Sequence, residues 1–131
     1  MCIRDSDQFS NLKKITKSIE IVYGLRNFIG NANKFSKEVI YINLKSDSEI
    51  TEIIIEDDGN GYPKDVLSKI GEPYLRTKDP TNKLKTGLGL GLFIGKTLLE
   101  KNFALINCRN SKTRSGAEVV IKWNNKDLFN I

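Results

Sequence analysis

The stretch Val39–Pro63, VIYINLKSDSEITEIIIEDDGNGYP, decides the reading of this chain. VIYINLK alternates apolar and polar side chains, the mark of a half-buried strand. Ser46–Glu49 (SDSE) reads as a turn. Ile50–Glu56 carries Ile53, Ile54 and Ile55, a β-branched run suited to a well-buried strand, and the two runs make a hairpin. Asp57–Pro63 (DDGNGYP) is irregular, because Asp, Gly, Asn and Pro break both helix and strand. An aspartate just past a buried strand, followed by two glycines, suits hydrogen bonding to an exocyclic amine with backbone packed close beneath. A plain acidic turn is the competing reading.

Outward from the hairpin, the periodicity changes. On its N-terminal side Ile21, Val22, Leu25, Phe28, Ile29, Ala32 and Phe35 recur at three- and four-residue steps, one face of a helix with Ser18 as its N-cap. On its C-terminal side Pro63–Ile70 suits a short helix with proline in its first turn. Gly71–Thr86 is a long connection with two prolines, and loops of that length are functional or disordered. Leu90–Lys101 reads as an amphipathic helix, and Phe103–Arg109 and Ala117–Trp123 as two closing strands. Residues 1–17 are polar and lysine-rich and read as an arm or the remnant of an upstream segment; whether Met1–Ser6 is native stays open. Residues 18–126 form the domain and 127–131 a tail. The order predicts an α+β fold, a two-layer sandwich with helices on one face of a mixed, mostly antiparallel sheet.

Composition removes whole classes of chemistry. The chain has 131 residues and no histidine, so Ser-His-Asp catalysis, Cys-His catalysis and His-ligated zinc are excluded. Cys2 and Cys108 are far apart and read as reduced thiols, although one bridge is not excluded. A net charge of +5 reads as a mildly basic domain, and no aromatic-plus-basic stripe points to nucleic acid. No apolar stretch spans a bilayer and no secretory signal is visible.

Six of the ten glycines fall between Gly59 and Gly91, a density that brings backbone close to a ligand or to positive φ. The familiar phosphate loops fail. Gly91–Thr97 is one residue short of a Walker A loop and lies inside a helix, and no GxGxxG is met. Three parts remain. Asn27, Asn31 and Lys34 share one helix face, where two amides and an ammonium suit hydrated magnesium and phosphate; a solvated surface face is the bland alternative. Asp57, Gly59 and Gly61 form the second part. The third is Gly87-Leu88-Gly89-Leu90-Gly91 running into a helix, whose free N–H groups suit phosphate oxygens; a hinge is the alternative. Between the last two, the loop holding Arg76, Lys78, Lys83 and Lys85 reads as a lid or as a solvated charged loop.

The order and spacing of these parts resemble the ATP-binding catalytic domain of sensor histidine kinases, in the GHKL superfamily shared with gyrase B, heat-shock chaperone and mismatch-repair ATPases. GLRNFIGNANKFS is similar to the N box, EDDGNGYP to the first glycine box, GEPYLRT to the F-box region and TGLGLGLFIGKTLLEK to the second glycine box. GEPYLRT, GLFIGKTLLEK and GAEVVIKW look most similar to the RegB-type redox-responsive kinases. The resemblance covers roughly Ser18–Trp123 and implies a Bergerat-type ATP-binding fold.

It also implies roles. Asn31 would ligate Mg²⁺ with Asn27 beside it, Lys34 would contact phosphates, and Phe35 would lie along the nucleotide. Asp57 would receive the adenine amino group, with Gly59 and Gly61 letting the base approach. Gly87, Gly89 and Gly91, with Leu88 and Leu90 between them, would wrap the phosphates of ATP. Arg76 or Lys78 would be the lid cation. Leu88 stands where many histidine kinases have threonine. Hydrolysing relatives carry a glutamate four residues before the metal asparagine; Asn27 stands there and cannot act as a base, which favours transfer to an imidazole over hydrolysis. The implied partners are a histidine-containing dimerisation and phosphotransfer segment and a response regulator. The implied setting is the cytoplasmic side of a membrane-bound, homodimeric inner-membrane sensor. A nucleotide-binding regulatory module without transfer activity and an anti-sigma-type serine kinase are the alternatives. Because the chain has no histidine, it cannot autophosphorylate on histidine by itself.

Overall fold

The structure is a computed structural model that describes residues 2–5, 18–67 and 88–129, and of residues 2–5 and 88–90 the backbone alone. Among the described residues nine elements follow in order: β1 (Cys2–Asp5), α1 (Ile19–Phe35), β2 (Ile40–Ser46), β3 (Ile50–Asp57), α2 (Lys64–Leu67), α3 (Leu88–Lys101), β4 (Leu105–Asn110), β5 (Ala117–Asn124) and α4 (Asn125–Leu128). The sheet order is β1-β2-β3-β5-β4, with β1 parallel to β2 and every other pair antiparallel. This is the mixed, mostly antiparallel sheet expected, and helices α1 and α3 cover one face of it.

The period of two along β3 and β5 sets what each face does. Ile53, Ile55 and Asp57 share the helix-facing side with Val119, Ile121 and Trp123, while Ile54 turns outward beside Val120. The β-branched run is therefore buried on one face, not both. Phe28 and Ala32 of α1 and Leu92 and Leu99 of α3 complete the core. The two helices approach closely because glycines face each other's side chains. A Cβ on Gly24 would sit 2.6 Å from Leu99 Cγ, and one on Gly95 would sit 2.8 Å from the Phe28 ring.

Several boundaries differ from expectation for physical reasons. Ser18 does cap α1, its Oγ accepting from the Ile21 N–H at 3.3 Å. Helix α3 starts at Leu88, two residues before the expected Leu90, so Gly89 and Gly91 lie at its start. The strand expected from Phe103 starts at Leu105, because residues 102–104 terminate α3. The N–H of Ala104 bonds the Leu99 carbonyl and that of Phe103 the Glu100 carbonyl, both at 3.0 Å. Phe103 takes the left-handed conformation (φ 70°) that such a cap requires. The expected tail begins inside α4, where Leu128 is buried in the core. Cys2–Asp5, part of the expected arm, forms edge strand β1. It lies at the opposite edge from β4, where Cys108 is a free thiol, so a bridge between the two cysteines is ruled out.

Candidate functional site

The pairing register places the site. Ile40 opposes Asp57, Glu56 opposes Glu118, and Asn110 opposes Ala117, so Asp57, Ala117 and Asn110 end up at one end of the sheet on its helix-facing side. Helix α1 passes over that end and contributes Phe28, Asn31 and Phe35. Together with Asp57, Gly61, Tyr62 and their neighbours these residues line a pocket with about 470 Å³ of free space, part of it open to solvent.

Asp57 is only 3% exposed. Its Oδ1 accepts from the Gly59 N–H at 2.8 Å and the Ala117 N–H at 3.2 Å, and Oδ2 takes neither bond. Burial raises its pKa above the ordinary aspartate value, partly offset by those two N–H groups. Gly116 permits this burial, since a Cβ there would overlap the Asp57 carboxylate and carbonyl. Gly59 plays the same part on the other side, where a Cβ would overlap the Phe35 carbonyl. Gly61 sits at φ 77°, a conformation glycine adopts without strain.

The adjacent Asp58 has a different occupation. Its carboxylate accepts from the backbone N–H groups of Lys37, Glu38 and Val39 at 2.8–3.3 Å, tying the α1–β2 turn to the end of β3. Desolvation alone would raise its pKa, but the N–H groups of Glu38, Lys37 and Val39 outweigh it, and the net shift is downward. The acidic-turn reading thus describes Asp58, while Asp57 lines the pocket.

The amides of α1 meet the start of α3. The Asn27 Nδ2 donates to the Tyr23 carbonyl at 2.8 Å, which turns its Oδ1 toward Gly91. The Asn31 Nδ2 is buried without a hydrogen-bond partner among the described residues. A Cβ on Gly91 would lie 3.3 Å from both Asn31 amide heavy atoms and 3.7 Å from Asn27 Oδ1, so glycine there keeps the space between the helices open. The N–H groups of Leu88, Gly89 and Leu90, in the first turn of α3, have no acceptor within the helix and lie at the positive end of its dipole. Lys34 places its ammonium 5.5 Å from the centre of the Phe35 ring, beside the pocket.

Of the residues singled out in the sequence, Asn31, Phe35, Asp57 and Gly61 line one pocket, with Asn27, Lys34, Gly59 and Gly91 against it. Arg76, Lys78 and Gly87 lie outside the described residues. Asn110, Gly116 and Ala117 were missed. Their one sequence signal is the glycine immediately before the last strand, which strand pairing sets opposite the Asp57 loop. Among the described residues no three acidic, cysteine or histidine side chains cluster. The oxygen donors for a hard cation here are the Asn31 and Asn27 amide oxygens, which border the gap that Gly91 keeps open, and this donor set fits a hydrated Mg²⁺ completed by phosphate.

This end of the sheet, with a buried carboxylate on one side and an open helix N-terminus with paired amides on the other, defines a nucleotide-binding two-layer sandwich. Residues 16–127 match the model of the "Histidine kinase-, DNA gyrase B-, and HSP90-like ATPase" family, and the chain belongs to that family. It is 34% identical to the sensor histidine kinase RegB of Cereibacter sphaeroides over 83% of this chain and 27% of RegB. It is 28% identical to the sensor histidine kinase CpxA of Escherichia coli over 66% of this chain and 19% of CpxA. The chain therefore spans about a quarter or less of these relatives' lengths. Among solved structures, the mycobacterial sensor histidine kinase MprB superposes with a TM-score of 0.63 at 21% identity, covering 84% of this chain and 76% of MprB. Full-length ShkA in complex with AMPPNP superposes with a TM-score of 0.57 at 26% identity, covering 79% of this chain and 21% of ShkA. These findings bear out the sensor-kinase resemblance, its RegB-type affinity and the expected fold, and the family brings ATP binding with it.

Proposed function

We propose that this chain binds Mg-ATP in the Asp57 pocket and donates the γ-phosphoryl group to a histidine on a phosphotransfer segment, with a response regulator as the onward acceptor. The carrying observation is the buried Asp57 carboxylate, which spends Oδ1 on the backbone and not Oδ2. Oδ2 accepts the adenine amino group, and Phe35 lies along the nucleotide. The first-turn N–H groups of α3, with Gly87 before them, bind the phosphates. Asn31 and Asn27 would hold Mg²⁺, which when bound neutralises phosphate charge. Lys34, with Arg76 or Lys78 from the loop, adds positive charge at the γ-phosphate.

In the transfer, a bond forms between an imidazole nitrogen and the γ-phosphorus as the bond to the β–γ bridging oxygen breaks. ADP leaves, and the imidazole proton goes to solvent. Near neutral pH much of the imidazole is unprotonated and needs little base help. Asn27 offers none, because a carboxamide does not take up a proton near neutral pH. Positioning and charge neutralisation then carry the rate. No described helix is long and apolar enough to cross a membrane. We propose, from the sensor-kinase resemblance alone, a dimeric parent sensor anchored at the inner membrane with this domain on its cytoplasmic side.

The test is to add a histidine phosphotransfer segment in trans with γ-labelled ATP. Label should appear on that segment's histidine and not on this chain. Tight Mg-ATP binding with no label on the histidine would overturn the transfer reading. In the same assay Asn31→Asp should impair productive Mg-ATP binding.

A further inference from the structure

Residues 58–63 run between β3 and α2 with no strand or helix of their own, so their backbone polar groups need partners from elsewhere. Asn110, the last residue of β4, supplies them at Tyr62. Its Oδ1 accepts from the Tyr62 N–H at 2.6 Å, and its Nδ2 donates to the Tyr62 carbonyl at 3.0 Å. One side-chain amide thus exchanges both bonds with a residue, as an opposed strand residue does in an antiparallel ladder. Gly61 fits beneath it, since a Cβ there would lie 2.7 Å from Asn110 Oδ1. Tyr62 and Pro63 form the pocket wall, and the Pro63 carbonyl accepts from Val66 and Leu67 to start α2. The other end of the loop is fixed by Asp57 Oδ1 between Gly59 and Ala117, and Ala117 is Asn110's own pairing partner. Both ends of the loop are therefore referenced to the same rung of the β4–β5 hairpin.

We infer that Asn110 is a positioning residue for base selectivity: it holds the Gly61–Pro63 wall at a fixed distance from Asp57, so that the pocket accepts adenine in one orientation. Asn110 touches no nucleotide and acts through the Tyr62 backbone. The inference rests on the adenine reading of the same pocket.

The experiment measures dissociation constants of ATP and GTP, with magnesium, for the wild-type chain, Asn110→Ala and Asn110→Asp. Loss of the bonds that fix the wall should weaken ATP about tenfold. GTP binding should change less than twofold, so the preference for ATP narrows. Asn110→Asp keeps the acceptor for the Tyr62 N–H and should recover part of the preference; it carries the test if Asn110→Ala does not fold. An unchanged preference, or parallel loss of both nucleotides, would overturn the positioning role. Independently of any variant, the Tyr62 amide of the wild-type chain should exchange slowly with solvent although it lies outside every strand and helix, and unprotected exchange would overturn the anchor. A wild-type chain that binds neither nucleotide would sink the adenine reading instead, while Tyr62 protection would still report on Asn110.

Discussion

Strand β3 has a buried polar cluster at each end, and the two are built differently. At its start, Thr51 donates to Asn125 Oδ1 at 2.6 Å and shares a 2.8 Å hydrogen bond with Ser46. The Asn125 Nδ2 donates to the Asp47 carbonyl at 2.7 Å, and its backbone N–H to the Glu49 carbonyl at 2.8 Å. That cluster closes on itself and pins α4 to the hairpin turn. At the other end, Asp57 is as deeply buried as Thr51 but, among the described residues, places both its hydrogen bonds on one oxygen, with Asn31 nearby holding an amide nitrogen that has no partner among them. Buried polar groups ordinarily find partners, and leaving one unmade is expensive. A cluster that is satisfied internally is structure; the Asp57 end, by contrast, lines a pocket and is the end proposed to take the nucleotide. The pKa directions agree, since a carboxylate raised by burial is one the fold has not fully compensated.

That contrast can be broken at either end. The largest expected effect is on binding. Asp57→Asn replaces the free oxygen with an amide donor and should weaken ATP on the order of thirtyfold, the loss of about 2 kcal/mol from a hydrogen bond to a charged group. The thermal midpoint at neutral pH should be unchanged or higher, because a buried charge is gone. Titration calorimetry with a melting curve checks both, and a lower midpoint with unchanged affinity would make Asp57 structural. At the closed end the pattern should invert. Thr51→Val removes the link between Ser46 and Asn125 and should cost ~1–3 kcal/mol of stability in urea unfolding, with ATP affinity unchanged.

The acid limb sharpens the comparison further. Asp57 has a raised folded pKa, so its ionisation disfavours folding: stability falls as pH rises from the ordinary aspartate value through the raised one. Asp58 has a lowered folded pKa, so its contribution is present above the ordinary value and lost as pH falls through the lowered one. The advantage of Asp57→Asn should therefore vanish in acid, and so should the deficit of Asp58→Asn, as followed by thermal midpoints across the acidic range. The smallest effect lies at neither end. Phe103→Gly relieves a left-handed residue at the α3 cap and should stabilise the chain by about 1 kcal/mol without altering nucleotide affinity.

Much of the fold was legible because its elements carry clean periods: the 3.6 period of α1, the alternation of β2 and the closing pair of strands. The glycine run at Gly87–Gly91 reads as leading into a helix from Leu90, and the helix starts two residues earlier, at Leu88. First-turn N–H groups are unpaired in any helix, and Leu92, buried one residue after the run, draws the turn onto the core. The Phe103 cap gave no signal, since the left-handed position was filled by a bulky residue instead of glycine. At the site, Asp57 could be read from the strand it ends. Its separation in role from Asp58 follows from the period of two that turns Ile53, Ile55 and Asp57 the same way. Asn110 and Ala117 could not be read. They come from a hairpin far along the chain, and they act through backbone groups that no side-chain pattern records.

The most direct test is amide chemical-shift mapping of the chain on addition of Mg-ATP. The open end should respond, with the largest shifts at Gly59, Gly61, Ala117, Asn31 and Gly91, while Thr51, Asn125 and their neighbours stay within baseline. Shifts centred on the Thr51–Asn125 end, or none at saturating Mg-ATP, would contradict the assignment of the Asp57 end as the nucleotide site.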